Sequence, residues 1–168
     1  EEQQRALTRC AAITGNKSIT QVQATVYIDK ATINGAAKVQ VGLELGYQTK
    51  EYKGDRTNLT VIQNVMNKAD EAFKMTGKAI GCKEGGCTVF FETSYEGQEV
   101  APASRSIVTR GEPHILSIQW DDDYYRFVFS FDDMTSYIDG VSLASVYQFH
   151  PEDFRRARLI ATIENIKS

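Results

Sequence analysis

Apolar and polar residues alternate along most of the chain, and this period of two predicts β-strands. The pattern is clearest between residues 114 and 140, where two alternating runs flank an acidic turn and a second acidic turn follows. The predicted core positions of these runs are Leu116, Ile118, Trp120, Phe127, Phe129 and Phe131. Polar residues occupy most of the positions between them. The segment is therefore predicted to be an antiparallel hairpin with one buried face.

The same alternation predicts strands on both sides of this hairpin. An apolar segment at 6–14 ends at a Gly-Asn turn signal and is predicted to be an edge strand. Further strands are predicted at 19–28, 39–47, 88–95, 106–109 and 157–166. One or two short strands are predicted at 136–147 around Asp139-Gly140, and a brief helical turn is predicted at 149–154.

Residues 60–74 fit two predictions. Seven apolar side chains match one face of a helix that begins at an Asn58 or Thr60 cap and stops at Gly77: Val61, Ile62, Val65, Met66, Ala69, Ala72 and Phe73. The segment 60–66 is nevertheless rich in β-branched residues, and a turn at 67–70 would lead into a second strand. We favour the hairpin because every neighbouring segment is β, and a helix near 60–74 is the alternative.

About ten strands separated by turns predict a mainly β fold, an antiparallel β-sandwich or jelly roll with at most one or two short helices. The chain of 168 residues is 42% hydrophobic, with eight Tyr, eight Phe and one Trp, which excludes a disordered chain. No repeat, low-complexity tract or linker divides it. We therefore predict one domain over residues 1–168.

The charge and hydropathy of the chain limit the classes of partner that it is expected to bind. The net charge is −3, and the lysines and arginines are scattered rather than gathered into a stripe, which argues against nucleic acid. No apolar run approaches the roughly 20 residues that cross a bilayer, so no membrane span is expected. The charged start at residues 1–5 is not expected to be a signal peptide, and a removed signal or lipid anchor stays an alternative.

Two of the three cysteines lie close together, Cys82 and Cys87 in the segment GCKEGGCT. The glycines suit a tight reversal between apolar strands, and the pair is predicted to form a disulfide that closes a hairpin. Such a bond indicates an extracytoplasmic location. A pair of reduced thiols, or a zinc site completed by His114 and His150, is the alternative. Cys10 lies in a strand-like segment and is expected to be a small buried hydrophobe.

The segments GEPHILSIQWD at 111–121, YRFVF at 125–129 and IDG at 138–140 resemble the concanavalin A-like lectin and glucanase superfamily, including laminin-G-like modules. A closing strand paired near the first one would also fit that superfamily. The resemblance implies a secreted sandwich that binds glycans through loops and a concave sheet. Some members of the superfamily hydrolyse polysaccharides.

Hydrolytic members of the superfamily carry carboxylates at alternating positions of one strand, as Glu-x-Asp-x-Glu or Glu-x-Asp-x-x-Glu. No such run exists in this chain, and its glutamates at 92, 96, 99 and 164 are isolated. We therefore favour a non-catalytic extracytoplasmic module that binds carbohydrate or a cell-surface partner, and we name no catalytic residue. The alternatives are a diverged polysaccharide-degrading enzyme and a structural or protein-interaction domain of a larger secreted or lipid-anchored protein.

Candidate ligand contacts are tyrosines, because a sugar ring can stack on an aromatic face. Tyr124, Tyr52 and Tyr47 are the candidates for this role. In the first acidic turn, Asp121 and Asp123 could supply oxygen ligands to Ca²⁺, although most acidic turns are solvated connectors. No other cofactor is expected.

Overall fold

A computed structural model describes residues 5–26, 38–47, 58–68, 74–83, 85–96 and 113–165. The strands in these ranges are β1 (Arg5–Thr14), β2 (Gln21–Val26), β3 (Lys38–Tyr47), β4 (Asn58–Lys68), β5 (Lys74–Lys83), β6 (Gly86–Glu96), β7 (His114–Asp121), β8 (Arg126–Phe131), β9 (Met134–Asp139) and β10 (Phe154–Asn165). Helix α1 spans Gly140–Val146, and a single 3₁₀ turn spans Pro151–Asp153. No helix in these ranges is long and apolar enough to cross a membrane.

The strands form two antiparallel sheets. The large sheet has six strands in the order β1-β10-β3-β4-β5-β6, and the small sheet has four in the order β2-β7-β8-β9. The last strand lies between the first and the third, so the large sheet is completed by a pairing that is distant in sequence. This arrangement confirms the predicted mainly β sandwich.

The core lies between the two sheets and is built from alternate residues of the central strands. On the large sheet, β3 contributes Val41, Leu43 and Leu45, all fully buried. On the small sheet, the predicted core residues are all buried: Leu116, Ile118, Trp120, Phe127, Phe129 and Phe131. Fully burying a side chain of this size contributes roughly 1.5–3 kcal/mol. The alternation seen in the sequence is therefore the pattern that holds the sheets together.

One polar side chain crosses the core. Gln63 on β4 is 0% exposed, and its Nε2 donates a hydrogen bond of 2.7 Å to the carbonyl of Ser130 on β8. The same nitrogen lies 3.2 Å from the sulfur of Met75. Because a buried amide needs partners, this side chain ties one position of the large sheet to one position of the small sheet.

Strands β4 and β5 confirm the hairpin and show that the helix near 60–74 is wrong. Strands β4 and β5 pair in antiparallel register from Asn58↔Cys82 to Met66↔Lys74. Val61 and Val65 are buried, whereas Ile62 and Met66 lie on the opposite, half-buried face. The helical period was therefore a coincidence of two apolar faces, one on each side of the sheet.

Several other predicted elements are confirmed: the edge strand β1, the strands β2, β3 and β6, the hairpin β7–β8, the 3₁₀ turn and the closing strand β10. The strand predicted at 106–109 lies outside the described residues. The domain boundary at 1–168 stays a prediction.

Two expectations need correction. Residues 136–147 do not form strands throughout, because β9 ends at Asp139 and α1 begins at the next residue. The carboxylate of Asp139 caps the helix by accepting hydrogen bonds from the backbone nitrogen and the hydroxyl of Ser142, at 2.9 and 2.8 Å. Cys10 is exposed rather than buried, because β1 is an edge strand and its side chains at 10–14 are all exposed.

Candidate functional site

A groove of about 400 Å³ lies on the outer face of the large sheet, the face that points away from the core. It crosses the central strands and is lined by Gln40, Gly42, Glu44, Ile62, Asn64, Thr76, Lys78, Ile80, Cys87, Val89, Ile160 and Thr162. These are the alternate partners of the core residues on the same strands, so the period of two that builds the core also builds the groove.

Gly42 shapes the middle of the groove. It pairs with Asn64 on one side and Ile160 on the other, and it contributes no side chain between them. A Cβ at this position would meet its nearest atom, the carbonyl oxygen of Gln63, at an ordinary 3.5 Å. Close backbone packing therefore does not require a glycine here. Because Gly42 has no side chain, it leaves a depression in the middle of the outer face of the sheet.

Asn64, which pairs with Gly42, has a side-chain oxygen that lacks a hydrogen-bond donor. Its Oδ1 is buried and accepts no hydrogen bond from any residue that the structure describes. Thr76 lies opposite it on β5, and the rows on either side carry Gln40 and Lys78. A buried carbonyl oxygen without a donor is costly. This oxygen has almost no surface open to the groove, so a bound group can donate a hydrogen bond to it only when the side-chain amide turns outward.

An ion pair borders the groove. Arg158 donates two hydrogen bonds to Glu44, from Nε to Oε2 and from Nη2 to Oε1, both at 2.8 Å. These bonds are the main cause of the raised pKa of the guanidinium. Beyond the pair lies a second hollow of about 330 Å³, lined by Ala12, Thr14, Glu44, Gly46, Asn58, Thr60, Cys82, Arg156, Ala157 and Arg158.

Two carboxylates whose side chains the structure describes on this face, Glu44 and Glu92, are far apart. Glu44 and Glu92 lie in one row of the sheet, linked through Ile62 and Lys78. Three strand spacings separate β3 from β6, which places the two residues about 14 Å apart. Glycosidase carboxyl pairs lie about 5–5.5 Å apart in retaining enzymes and about 6.5–9.5 Å apart in inverting enzymes.

The turn between β7 and β8 holds Asp121, Asp123 and Tyr124. Asp121 closes the turn, because its Oδ1 accepts hydrogen bonds from the backbone nitrogens of Asp123 and Tyr124 at 3.1 and 3.3 Å. Its Oδ2 accepts a bond of 3.3 Å from Nε of Arg126. Both oxygens of Asp121 are thus engaged within the chain, and we leave Ca²⁺ out of the proposed function.

Tyr124 is 71% exposed and stacks over Arg126, whose guanidinium carbon lies 4.6 Å from the ring centroid. The same guanidinium lies 4.3 Å from the ring of Tyr137, which is also exposed. The outer face of Tyr124 is open, so its role as a sugar platform stays a prediction. It lies on the small sheet's hairpin, and the groove lies on the large sheet.

Tyr47 is in the core, with 6% of its surface exposed. Its ring packs edge-to-face against Phe154 and Tyr147, and its hydroxyl donates a bond of 3.2 Å to Asp153. Burial, followed by the charge of Asp153, raises the pKa of Tyr47 to about 12. No ring face is open to a sugar, and we leave Tyr47 out of the proposed site. Tyr52 lies outside the described residues.

Cys82 and Cys87 form the predicted disulfide, with their Cα atoms 4.1 Å apart at the closed end of the β5–β6 hairpin. Cys87 lines the groove and Cys82 lines the second hollow. His114 is buried and bonded through Nδ1 to Asp132 at 2.7 Å, and His150 is exposed. Within the described ranges, no group of three or more His, Cys, Asp or Glu side chains could hold a metal ion.

The polar groove residues were missed in the sequence, although a signal for them was present. Gln40 and Glu44 were visible only as the polar positions between the apolar residues of one strand, and such positions are usually solvated. Bringing them beside Asn64, Thr76 and Lys78 requires the register of two strand pairs, β3–β4 and β4–β5, which the alternation alone does not give.

Comparison with solved structures finds β-1,3-glucanases. The endo-β-1,3-glucanase of Pyrococcus furiosus matches 92% of this chain at 12% identity, with a TM-score of 0.49, and the chain spans 52% of that protein. The endo-1,3-β-glucanase (laminarinase) catalytic domain of Thermotoga petrophila matches 94% at 14% identity, with a TM-score of 0.41 and 68% of its own length covered.

The laminarinase catalytic domain of Thermotoga maritima matches 93% of the chain at 15% identity, with a TM-score of 0.39 and 66% of its own length covered. No family model matches the sequence, and no curated protein matches it.

Proposed function

We propose that the chain is an extracytoplasmic, non-catalytic module that binds carbohydrate in the groove on the outer face of the large sheet. The observation that carries the proposal is the unsatisfied Oδ1 of Asn64 in a groove bordered by other hydrogen-bonding side chains. Sugar hydroxyls both donate and accept hydrogen bonds. When the amide of Asn64 turns toward the groove, a sugar hydroxyl can supply the donor that this oxygen lacks, and the neighbouring side chains can bond the same sugar.

The composition of the groove suits a sugar ring. Gln40, Thr76 and Asn64 offer hydrogen bonds, while Ile62, Ile80 and Ile160 offer apolar contact to the C–H groups of a ring. A volume of about 400 Å³ lies within the range of small-molecule sites, about 300–1,000 Å³. The groove is open along the sheet, which suits part of a polymer better than an enclosed small molecule.

Glu44 and Glu92, carboxylates on this face whose side chains the structure describes, support binding without hydrolysis. Glu44 is held by Arg158 in a two-bond ion pair, and Glu92 lies about 14 Å away across three strand spacings. Neither arrangement provides the close acid and nucleophile, or acid and base, of glycoside hydrolysis. The disulfide between Cys82 and Cys87 supports an oxidising, extracytoplasmic compartment.

Affinity electrophoresis in gels that contain polysaccharides tests the proposal. Asn64→Leu keeps the side-chain size and removes the acceptor, and we expect it to weaken binding about tenfold by losing hydrogen bonds to the sugar. Thr135→Val is the matched control, because Thr135 is an exposed polar residue on the outer face of the small sheet. A wild-type chain that binds no polysaccharide, or equal losses in both variants, would contradict the proposal.

Two further measurements separate the competing functions. Tyr124→Ala should leave binding unchanged, and a loss would move the site to the β7–β8 turn. We expect no reducing sugar to be released from the polysaccharide that binds best. Release that Glu44→Gln abolishes would identify a diverged enzyme instead.

A further inference from the structure

We infer that the glycan bound in the groove is acidic and carries carboxylate or sulfate groups; this inference rests on the proposed function. The residue that carries it is Lys78, near the middle of β5. Its side chain is half-buried on the outer face of the large sheet and lines the groove.

Lys78 forms no ion pair within the described part of the chain, although a carboxylate lies directly across from it on β6. Its cross-strand neighbours are Ile62 on β4 and Glu92 on β6. Among the described residues, Arg126 pairs with Asp121 and Arg158 pairs with Glu44, and neither Lys78 nor Glu92 takes part in an ion pair. A partly buried ammonium group beside an open groove can gain an anion as its partner without breaking an existing pair.

The surrounding charges favour the same kind of ligand. Glu44 is the one carboxylate among the residues that line the groove and the second hollow, and its two oxygens are occupied by Arg158. Arg156 lines the second hollow and donates a bond of 3.1 Å to the carbonyl of Tyr47. The residues that line these two hollows include three cations and one carboxylate, and a second carboxylate, Glu92, lies beside Lys78, so the cations are in excess on this face although the whole chain has a net charge of −3.

This charge distribution gives an acidic polymer an advantage over a neutral one. An ammonium group is a compact point charge that can approach either a carboxylate or a sulfate ester. The hydrogen-bonding residues beside it would hold the hydroxyl groups of the same sugar ring. Since part of the attraction is electrostatic, binding should weaken as the ionic strength rises.

The first test compares polymers that differ in charge alone. Polygalacturonate is measured against carboxyl-reduced polygalacturonate, and dextran sulfate against dextran, by affinity electrophoresis or calorimetry at low ionic strength. We expect at least one acidic polymer to bind about tenfold more tightly than its neutral partner. The pair that shows the difference distinguishes carboxylate from sulfate. Equal affinity within both pairs would overturn the inference.

The second test compares two lysines of the same strand. Lys78→Met removes the charge from the groove and keeps most of the side-chain length. Lys83→Met makes the same change at the exposed end of β5, where the side chain belongs to the alternate set that does not line the groove. We expect Lys78→Met to remove the preference for the acidic polymer and Lys83→Met to retain it. Equal losses would show attraction by net charge alone and overturn the inference.

The outcomes also separate this inference from the proposed function. If the chain binds neutral and acidic polymers equally, and Asn64→Leu weakens both, the carbohydrate site stands and the acidic preference is wrong. If the chain binds no polysaccharide of either kind, both are wrong. Circular dichroism of each variant, unchanged from the wild type, confirms that a loss of binding is not a loss of fold.

Discussion

Two glycines of the large sheet have different physical roles. A Cβ on Gly77 would lie 2.6 Å from Cδ2 of Phe129, which reaches across the core from the small sheet. A Cβ on Gly42 would lie 3.5 Å from its nearest neighbour and point into the groove. Gly77 is therefore required by the packing of the two sheets, and Gly42 is not.

We expect Gly77→Ala to lower the free energy of unfolding by about 1–3 kcal/mol, because the new methyl group must displace a buried ring. Gly42→Ala should change it by less than about 1 kcal/mol, since alanine fits and restricts the unfolded chain. Urea denaturation followed by tryptophan fluorescence measures both values. Similar values for the two variants would show that Phe129 can move away without cost.

Tyr47 makes stability sensitive to high pH. Its pKa is raised to about 12 by burial and by Asp153, so the folded state holds the neutral hydroxyl more firmly than the unfolded state, where the usual pKa is 10.0. This contribution is complete below pH 10 and is lost as the pH rises from about 10 to 12. Tyr47→Phe should therefore lose less stability than the wild type over this range.

Thermal unfolding at several alkaline pH values measures the difference. Tyr124→Phe is the control, because Tyr124 is 71% exposed and its hydroxyl has no buried partner to lose. An identical pH slope for Tyr47→Phe and the wild type would show that other groups govern alkaline unfolding.

Among the elements, strands were predictable and the helix was not. A strand with one buried face carries its own signal, as in β3, where Val41, Leu43 and Leu45 alternate with polar and small residues. Helix α1 has only seven residues and begins at a glycine, with Val141 and Val146 exposed. Its one local signal is the capping carboxylate of Asp139, which is equally typical of a turn.

The disulfide links the two strands of one hairpin, β5–β6, and does not connect distant parts of the fold. We expect the double variant Cys82→Ser/Cys87→Ser to lower the melting temperature by about 4–8 °C, because the bond closes a short loop worth about 2 kcal/mol. The far-ultraviolet circular dichroism should not change, since the register of Cys82 and Cys87 continues along both strands. Cys10→Ser, at an exposed free cysteine, is the control and should leave the melting temperature unchanged.

At the scale of the molecule, the sequence predicts a sandwich more completely than it predicts a site. The core requires only that apolar residues share a face, which each strand shows by itself. The groove requires that Asn64 and Lys78 meet residues of β3 and β10, which are adjacent only because β10 inserts between β1 and β3. This strand order arises from the three-dimensional fold, and no local pattern in either strand reports it.

Gln63 tests how closely the two sheets depend on one polar contact. Gln63→Met keeps nearly the same volume and loses the bond to Ser130, and we expect a cost of about 1–2 kcal/mol in the free energy of unfolding. Gln63→Ala also leaves a cavity and should cost about 2–4 kcal/mol. Chemical denaturation measures both variants. A methionine variant more stable than the wild type would show that the unsatisfied Oε1 of Gln63 outweighs its inter-sheet bond.

The pairing of the first strand with the last has a mechanical consequence. In the β1–β10 ladder, Arg5 lies opposite Asn165, and the pairs proceed inward from there to Thr14 and Arg156. A stretching force applied at residues 5 and 165 would pull on the same end of two antiparallel strands. The hydrogen-bonded pairs of the ladder would then break one after another from that end, instead of bearing the load together in shear. Tension along the chain would thus separate β1 from β10, the strand that supplies Ile160 and Thr162 to the groove.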